Sequence, residues 1–205
     1  MKRTLSLLIA MILVLSMLPP VGVYAAEPVT VYLDPVNGDN GSSGTEEAPV
    51  KDFEAAYALL QAAGGTVVML EDVTFTAVTT LPSCDHPVTI TSKTGAEGIR
   101  SNSHLIVGGE TTFENISLTL TKASTGTTIC GGGHKLTMGE GVTTVPFVNS
   151  DGSYYFCLAG GFYSGSIAAS TDLTIRSGQY RYVYAGGYTT GVNGNAKLTW
   201  CNHGF

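Results

Sequence analysis

Charged side chains are scarce in this sequence: 26 of its 205 residues are Asp, Glu, Lys or Arg, about half the roughly 25% of an ordinary soluble domain. That scarcity excludes an acidic disordered tail and a helical bundle laced with surface ion pairs. Basic residues number only ten and form no stripe, so the electrostatic footprint of a nucleic-acid partner is missing. Long hydrophobic runs are missing too, apart from Leu5 to Leu18. Those 14 residues fall short of the ~20 that a membrane-spanning helix needs, and Pro19-Pro20 ends them. Cysteine is sparse, with Cys84, Cys130, Cys157 and Cys201 separated by 46, 27 and 44 residues. No CxxC pair exists to hold zinc. The linear signatures GxSxG, HExxH and the Walker loop are absent as well, which removes the usual marks of serine hydrolases, zinc proteases and nucleotide binders.

What the chain has is Gly and Thr, 26 of each, with a hydrophobic fraction of 43%. Gly-rich turns between β-branched segments point to an all-β fold, and the length fits one domain. The short apolar run is preceded by Lys2-Arg3 and followed by Val23-Tyr24-Ala25. This is the three-part pattern of a secretory signal peptide, residues 1–25, so the chain is expected to be secreted or surface-associated with no transmembrane segment after cleavage. The exported part carries 8 basic and 16 acidic residues, a net charge of −8. Nine of those acids lie between Glu27 and Asp72. In an oxidising compartment, two disulfides and buried free thiols are both open readings for the four cysteines.

Residues 26–65 read as a strand from Thr30 to Leu33, a turn-rich stretch from Asp34 to Thr45, and a helix. Asp52 is the N-cap, Phe53, Ala56, Tyr57 and Leu60 share a face, and Gly64-Gly65 is the stop. Such a helix before a long β region would cover an open sheet end. Asp, Asn and Gly at the density of the Asp34 to Thr45 stretch also occur in calcium loops. The spacing is not that of an EF-hand, however, and Asx turns account for it without a metal, so no cofactor is expected.

Residues 66–205 follow a period of two. An apolar-Thr-apolar tripeptide recurs at Val88-Thr89-Ile90, Leu118-Thr119-Leu120, Leu136-Thr137-Met138, Leu173-Thr174-Ile175 and Leu198-Thr199-Trp200. Alternation turns the apolar residues inward and each Thr outward. A longer repeat aligns Tyr154 to Gly165 with Tyr180 to Gly191 at a shift of 26, sharing Ala-Gly-Gly-[Phe/Tyr]-x-x-Gly. A period near 26 is too short for a propeller blade and lacks helical periodicity, which leaves a β-solenoid with Gly at the corners. Phe205 falls where a further unit would begin, so the chain is expected to be a fragment of a longer protein.

Tyr32-Leu33-Asp34-Pro35, Gly38-Asp39, Gly44-Thr45, Ala48-Pro49, the helix and Gly64-Gly65-Thr66-Val67 resemble the N-terminal segment of the pectate-lyase-like right-handed parallel β-helix proteins. Val50 and Asp52 depart from it, standing where an aromatic and Thr or Ser are common. The resemblance implies a secreted bacterial protein, either a surface scaffold or a polysaccharide lyase or hydrolase. Enzymes of that kind gather acids and an Arg or Lys on neighbouring rungs. Here the rung acids are Asp85, Glu97, Glu110, Glu114, Glu140, Asp151 and Asp172, none adjacent to another. Convergence of Asp85 and Glu114 with Lys122 or Arg100 would favour an enzyme. Asp85-His86 reads as a polar turn, Gly131-Gly132-Gly133-His134 as a corner, and Glu71-Asp72 as a solvated turn. No catalytic residue is assigned.

Aromatics are the strongest cue to function. Of 18, 11 lie between Tyr154 and Phe205. Tyr180, Tyr182 and Tyr184 alternate onto one face, matched at the shift of 26 by Tyr154, Phe156 and Leu158. Arg181 on the opposite face favours an inward, core-forming orientation, since a charged Arg is rarely buried without a partner. The outward orientation would make Tyr182 and Tyr184, with Tyr163 and Tyr188 beside the Gly pairs, a platform for sugar rings. The expected function is therefore a β-helix scaffold for interaction, with polysaccharide or cell-surface glycan as partner.

Overall fold

The computed structural model describes residues 27–121, 128–150, 152, 154–165, 170–189 and 194–201. The segment expected to be a signal peptide, residues 1–25, and Lys122, Asp151, His203 and Phe205 lie outside them. Strand β1 (Val29–Leu33) precedes helix α1 (Phe53–Leu60). The chain then winds through three sheets. The first turn is β2 (Gly65–Met69), β3 (Val73–Phe75) and β4 (Thr79–Thr80); the second is β5 (Val88–Ser92), β6 (Gly98–Ser101) and β7 (Leu105–Ile106). The third is β8 (Thr111–Phe113), β9 (Ser117–Leu120) and β10 (Thr128–Cys130). In the fourth, β11 (Lys135–Met138) and β12 (Thr143–Val145) are followed by a small antiparallel excursion, β13 (Phe147–Val148) with β14 (Tyr154–Tyr155), before β15 (Cys157–Ala159). The fifth has β16 (Thr171–Ile175) and β17 (Tyr182–Tyr184), and β18 (Ala196–Trp200) begins another. Strands of like position pair in parallel, giving a seven-stranded first sheet from β1 to β18, a four-stranded second and a five-stranded third. The result is a parallel β-solenoid of about five turns, as the short period and period-two alternation predict.

Register explains the core. Val31, Val67, Ile90, Phe113, Met138 and Ile175 stand in one inward column of the first sheet, each at most 2% exposed. Each such burial contributes roughly 1.5–3 kcal/mol. On the outer face of the same strands, Thr30, Thr66, Thr89, Thr112, Thr137, Thr174 and Thr199 form a second unbroken column. The expected inward and outward roles of the apolar-Thr-apolar tripeptides hold there.

Helix α1 starts where Asp52 accepts the Ala55 N–H at 2.9 Å, and it buries Phe53, Ala56, Tyr57 and Leu60 against the coil. The acids before it serve turns. Asp34 accepts the N–H groups of Val36 and Asn37, Asp39 accepts that of Gly41, and Asp52 also receives Asn40 Nδ2 at 2.6 Å. Glu71 and Asp72 are exposed, as expected of a solvated turn, and Asp72 also makes a link. Its two oxygens hold the Gly98 N–H and Arg100 Nη1, each at 2.9 Å, and so tie the first turn to the second.

In the fifth turn no second-sheet strand is assigned among the described residues. Side chains replace ladder bonds there: Ser177 Oγ receives the Val142 N–H and Thr144 exchanges bonds with Gln179.

Candidate functional site

The outer face of the third sheet is where the aromatics gather. On the outward side of β7, β10 and β15, Ile106, Thr128, Cys130, Cys157 and Ala159 are buried, and the segment after β15 turns back across Ile106, Cys130 and Ala159, whereas Thr80 on β4 is exposed. Phe162, Tyr163 and Tyr184 pack on Ile106, Cys130 and Ala159. Tyr163 reaches as far as His104, the residue before β7, and the two rings stack with centroids 3.8 Å apart and planes 7° from parallel. Burial holds the His104 pKa below its ordinary value, so the imidazole in this stack is neutral at pH 7.

Beside this covered strip, Tyr182, Tyr184 and Tyr188 form a contiguous group. Tyr182 and Tyr184 lie 6.4 Å apart with tilted planes, and Tyr184 meets Tyr188 edge-on at 5.1 Å. Arg181 lies 4.5 Å from the centre of the Tyr155 ring and 5.2 Å from that of Tyr182, extending the group with a cation between two rings. Tyr182 is 42% exposed. Of the four residues anticipated as a sugar platform, Tyr182, Tyr184 and Tyr188 are thus brought together, while Tyr163 is committed to His104 on the same covered face.

The inward orientation favoured for Tyr182 and Tyr184 is incorrect. The strands pair at a shift of 25, with Cys157 opposite Tyr182, Leu158 opposite Val183 and Ala159 opposite Tyr184, instead of the 26 given by aligning the Ala-Gly-Gly segments. A one-residue slip exchanges the two faces. The cause is local: the N–H groups of Arg181 and Tyr182 both point to the Phe156 carbonyl, at 3.0 and 3.5 Å. Two residues opposing one make a bulge, and the alternation changes phase across it. Tyr180 therefore stays inward, edge-on to the fully buried Phe156 at 5.6 Å, whereas Tyr182 and Tyr184 turn out.

All four cysteines are thiols. Cys130 pairs with Ala159, two residues beyond Cys157, so the two thiols are diagonal neighbours on one face. Diagonal separations of roughly 7–8 Å exceed disulfide reach. Burial pushes the Cys130 thiol up to about 12 and raises that of Cys157, which makes both poor nucleophiles.

The convergence that would favour an enzyme does not occur among the described residues, outside which Lys122 lies. Asp85 lies in the loop between β4 and β5, Glu114 at the corner between β8 and β9, and Arg100 is engaged by Asp72 at 2.9 Å. Asp85 and His86 are exposed, as expected of a polar turn. Gly131, Gly132 and Gly133 donate their N–H groups to carbonyls of residues 159–161, so this corner is a rung junction and offers no anion cradle. Sequence reasoning missed a groove of about 300 Å³ on the first sheet. Its floor is Thr112, Thr137 and Thr174, and Glu114, Glu140, Lys135 and Arg176 stand around it. These residues come from three turns and are far apart in the chain; only the register of β8, β11 and β16 joins them. Lys135 is paired with Glu110 at 2.8 Å, and Lys197 with Asp172 at 2.9 Å.

Fold and surface together define a parallel β-solenoid with an aromatic outer face at one end. The chain matches no family model, no curated protein and no solved structure.

Proposed function

We propose that this chain is a secreted or cell-surface bacterial scaffold that binds polysaccharide through Tyr182, Tyr184 and Tyr188. In this reading it is a right-handed β-helix of the pectate-lyase-like kind, with a signal peptide over 1–25, a segment over 26–65 whose helix closes the first turn, and rungs over 66–205. A right-handed coil is the hand that parallel crossover connections favour. The observation that carries the functional reading is the cluster of tyrosine rings on the outward face, with Arg181 beside them. Sugar rings present apolar C–H faces to such rings and hydroxyls to the phenols and guanidinium. The exported chain's net charge of −8 repels long anionic polymers, so the partner is a neutral polysaccharide or cell-surface glycan. A glycan array probed with the exported chain tests this. Binding to neutral glycans that weakens at least tenfold in both Tyr182→Ala and Tyr188→Ala is expected; an array without signal, or variants that bind like the parent, overturns it.

A second reading, a polysaccharide lyase or glycoside hydrolase, is favoured by the groove in which Glu114 and Glu140 stand with Lys135 and Arg176. It requires that incubation with polysaccharide release new chain ends, and that Glu114→Gln or Glu140→Gln abolish the release.

A further inference from the structure

We infer that the groove on the outer face of the first sheet binds a small zwitterion, an α-amino acid held by its ammonium group at Glu114 and by its carboxylate at Arg176. The site shares no residue with the tyrosine face and requires no catalysis. Register builds it. Gly139 follows Met138, which lies opposite Phe113 on one side and Ile175 on the other. Glu114, Gly139 and Arg176 therefore stand in line across three successive turns, in the outward column next to that of the threonines. The Gly139 N–H donates to the Phe113 carbonyl at 2.7 Å and the Arg176 N–H to the Met138 carbonyl at 2.8 Å, which fixes the line. A Cβ on Gly139 would meet the Phe113 carbonyl oxygen at 2.9 Å, so the gap between acid and base belongs to the way β11 approaches β8. The outward charges on the other side of the threonines are paired from one turn to the next, Glu110 with Lys135 at 2.8 Å and Asp172 with Lys197 at 2.9 Å. Glu114 and Arg176 stand two turns apart and make no ion pair among the described residues.

The spacing selects the ligand. Two strand separations put the Cα atoms of Glu114 and Arg176 roughly 9.6 Å apart. Side chains stand about perpendicular to a sheet, so a charge-assisted hydrogen bond of ~2.8 Å at each end leaves roughly 4 Å for the ligand's own span from ammonium to carboxylate. One residue of extended chain, ~3.3–3.6 Å, fills that distance. On the groove floor the hydroxyls of Thr112, Thr137 and Thr174 have no hydrogen-bond partner among the described residues, and they are left to meet the ligand's charged ends. The volume of about 300 Å³ is at the small end for a ligand site. Two acids and two bases stand around it, so a molecule without net charge enters without repulsion.

Titration of the ¹⁵N-labelled exported chain with L-alanine, followed by NMR, tests this. The amide signals of Glu114, Gly139 and Arg176 are expected to shift and saturate. Acetate and methylamine, each carrying one of the two charges, are expected to bind at least tenfold more weakly. Glu114→Arg and Arg176→Glu are each expected to abolish the shifts while the rest of the spectrum is kept. The double variant Glu114→Arg/Arg176→Glu is expected to restore them, because the exchanged charges accept the ligand turned end for end. Glycan binding should be unchanged in all three variants, which separates this site from the tyrosine face. The absence of saturable shifts with L-alanine overturns the proposal. So do single variants that bind like the parent, or acetate or methylamine that binds as tightly as L-alanine, which would make this a site for one charge only.

Discussion

Tyr57 and Cys130 show how burial alters single side chains in this fold. Removal from water pushes the Tyr57 hydroxyl and the Cys130 thiol each up to about 12, and it raises Tyr180 in the same sense. In each case the folded state keeps a proton that the unfolded chain releases from about pH 9–10 upward. The folded pKa lies above the unfolded one, so this stability is fully present below about pH 9 and is lost as pH rises towards 12. The urea midpoint is expected to fall through that window by an amount corresponding to a few kcal/mol. Cys130→Ala should flatten part of the slope. A midpoint unchanged between about pH 8 and 11 contradicts this account of the buried groups. At this scale the sequence was least legible. The count and clustering of tyrosines were visible, but the direction of Tyr182 and Tyr184 depended on the bulge at Arg181, where two N–H groups share the Phe156 carbonyl. No residue pattern marks that bulge, and aligning the glycine pairs concealed it by one residue.

Elements were easier to read because each has a local cause. Helix α1 follows from Asp52, the apolar spacing of Phe53, Ala56, Tyr57 and Leu60, and Gly64, whose φ of 69° suits the end of a helix. The Thr-centred strands follow from alternation. What alternation does not give is how closely one turn sits on the next. Gly98 is an example: a Cβ there would stand 1.7 Å from the Ser117 carbonyl oxygen, so β6 and β9 can approach only with glycine at this place. The ordering of two variants tests this. Asp52→Ala, which removes one cap bond, is expected to lose about 1 kcal/mol in urea unfolding. Gly98→Ala, which meets backbone that cannot step aside, is expected to lose more, on the order of 2–4 kcal/mol. Equal losses, or a milder Gly98→Ala, would mean that the two strands yield more readily than their register implies.

For the whole molecule, low charge and high Thr and Gly content turn out to describe a stacked surface. Thr lines the outer face of the first sheet, and much of the remaining charge is spent in pairs between turns, such as Lys135 with Glu110 and Lys197 with Asp172. The solenoid was legible because its repeat is written in the chain. The groove around Glu114, Glu140, Lys135 and Arg176, and the fold-back of Tyr163 onto His104, were not, because both are made by residues that only stacking brings together. The aromatic end is the feature on which the functional reading depends, and ring signals of ¹³C-labelled tyrosine observe it directly. On titration with a neutral polysaccharide, the signals of Tyr182, Tyr184 and Tyr188 should shift together while those of the inward Tyr57 and Tyr180 stay in place. A glycan that binds and leaves Tyr182, Tyr184 and Tyr188 unmoved would contradict the assignment of this face as the binding surface.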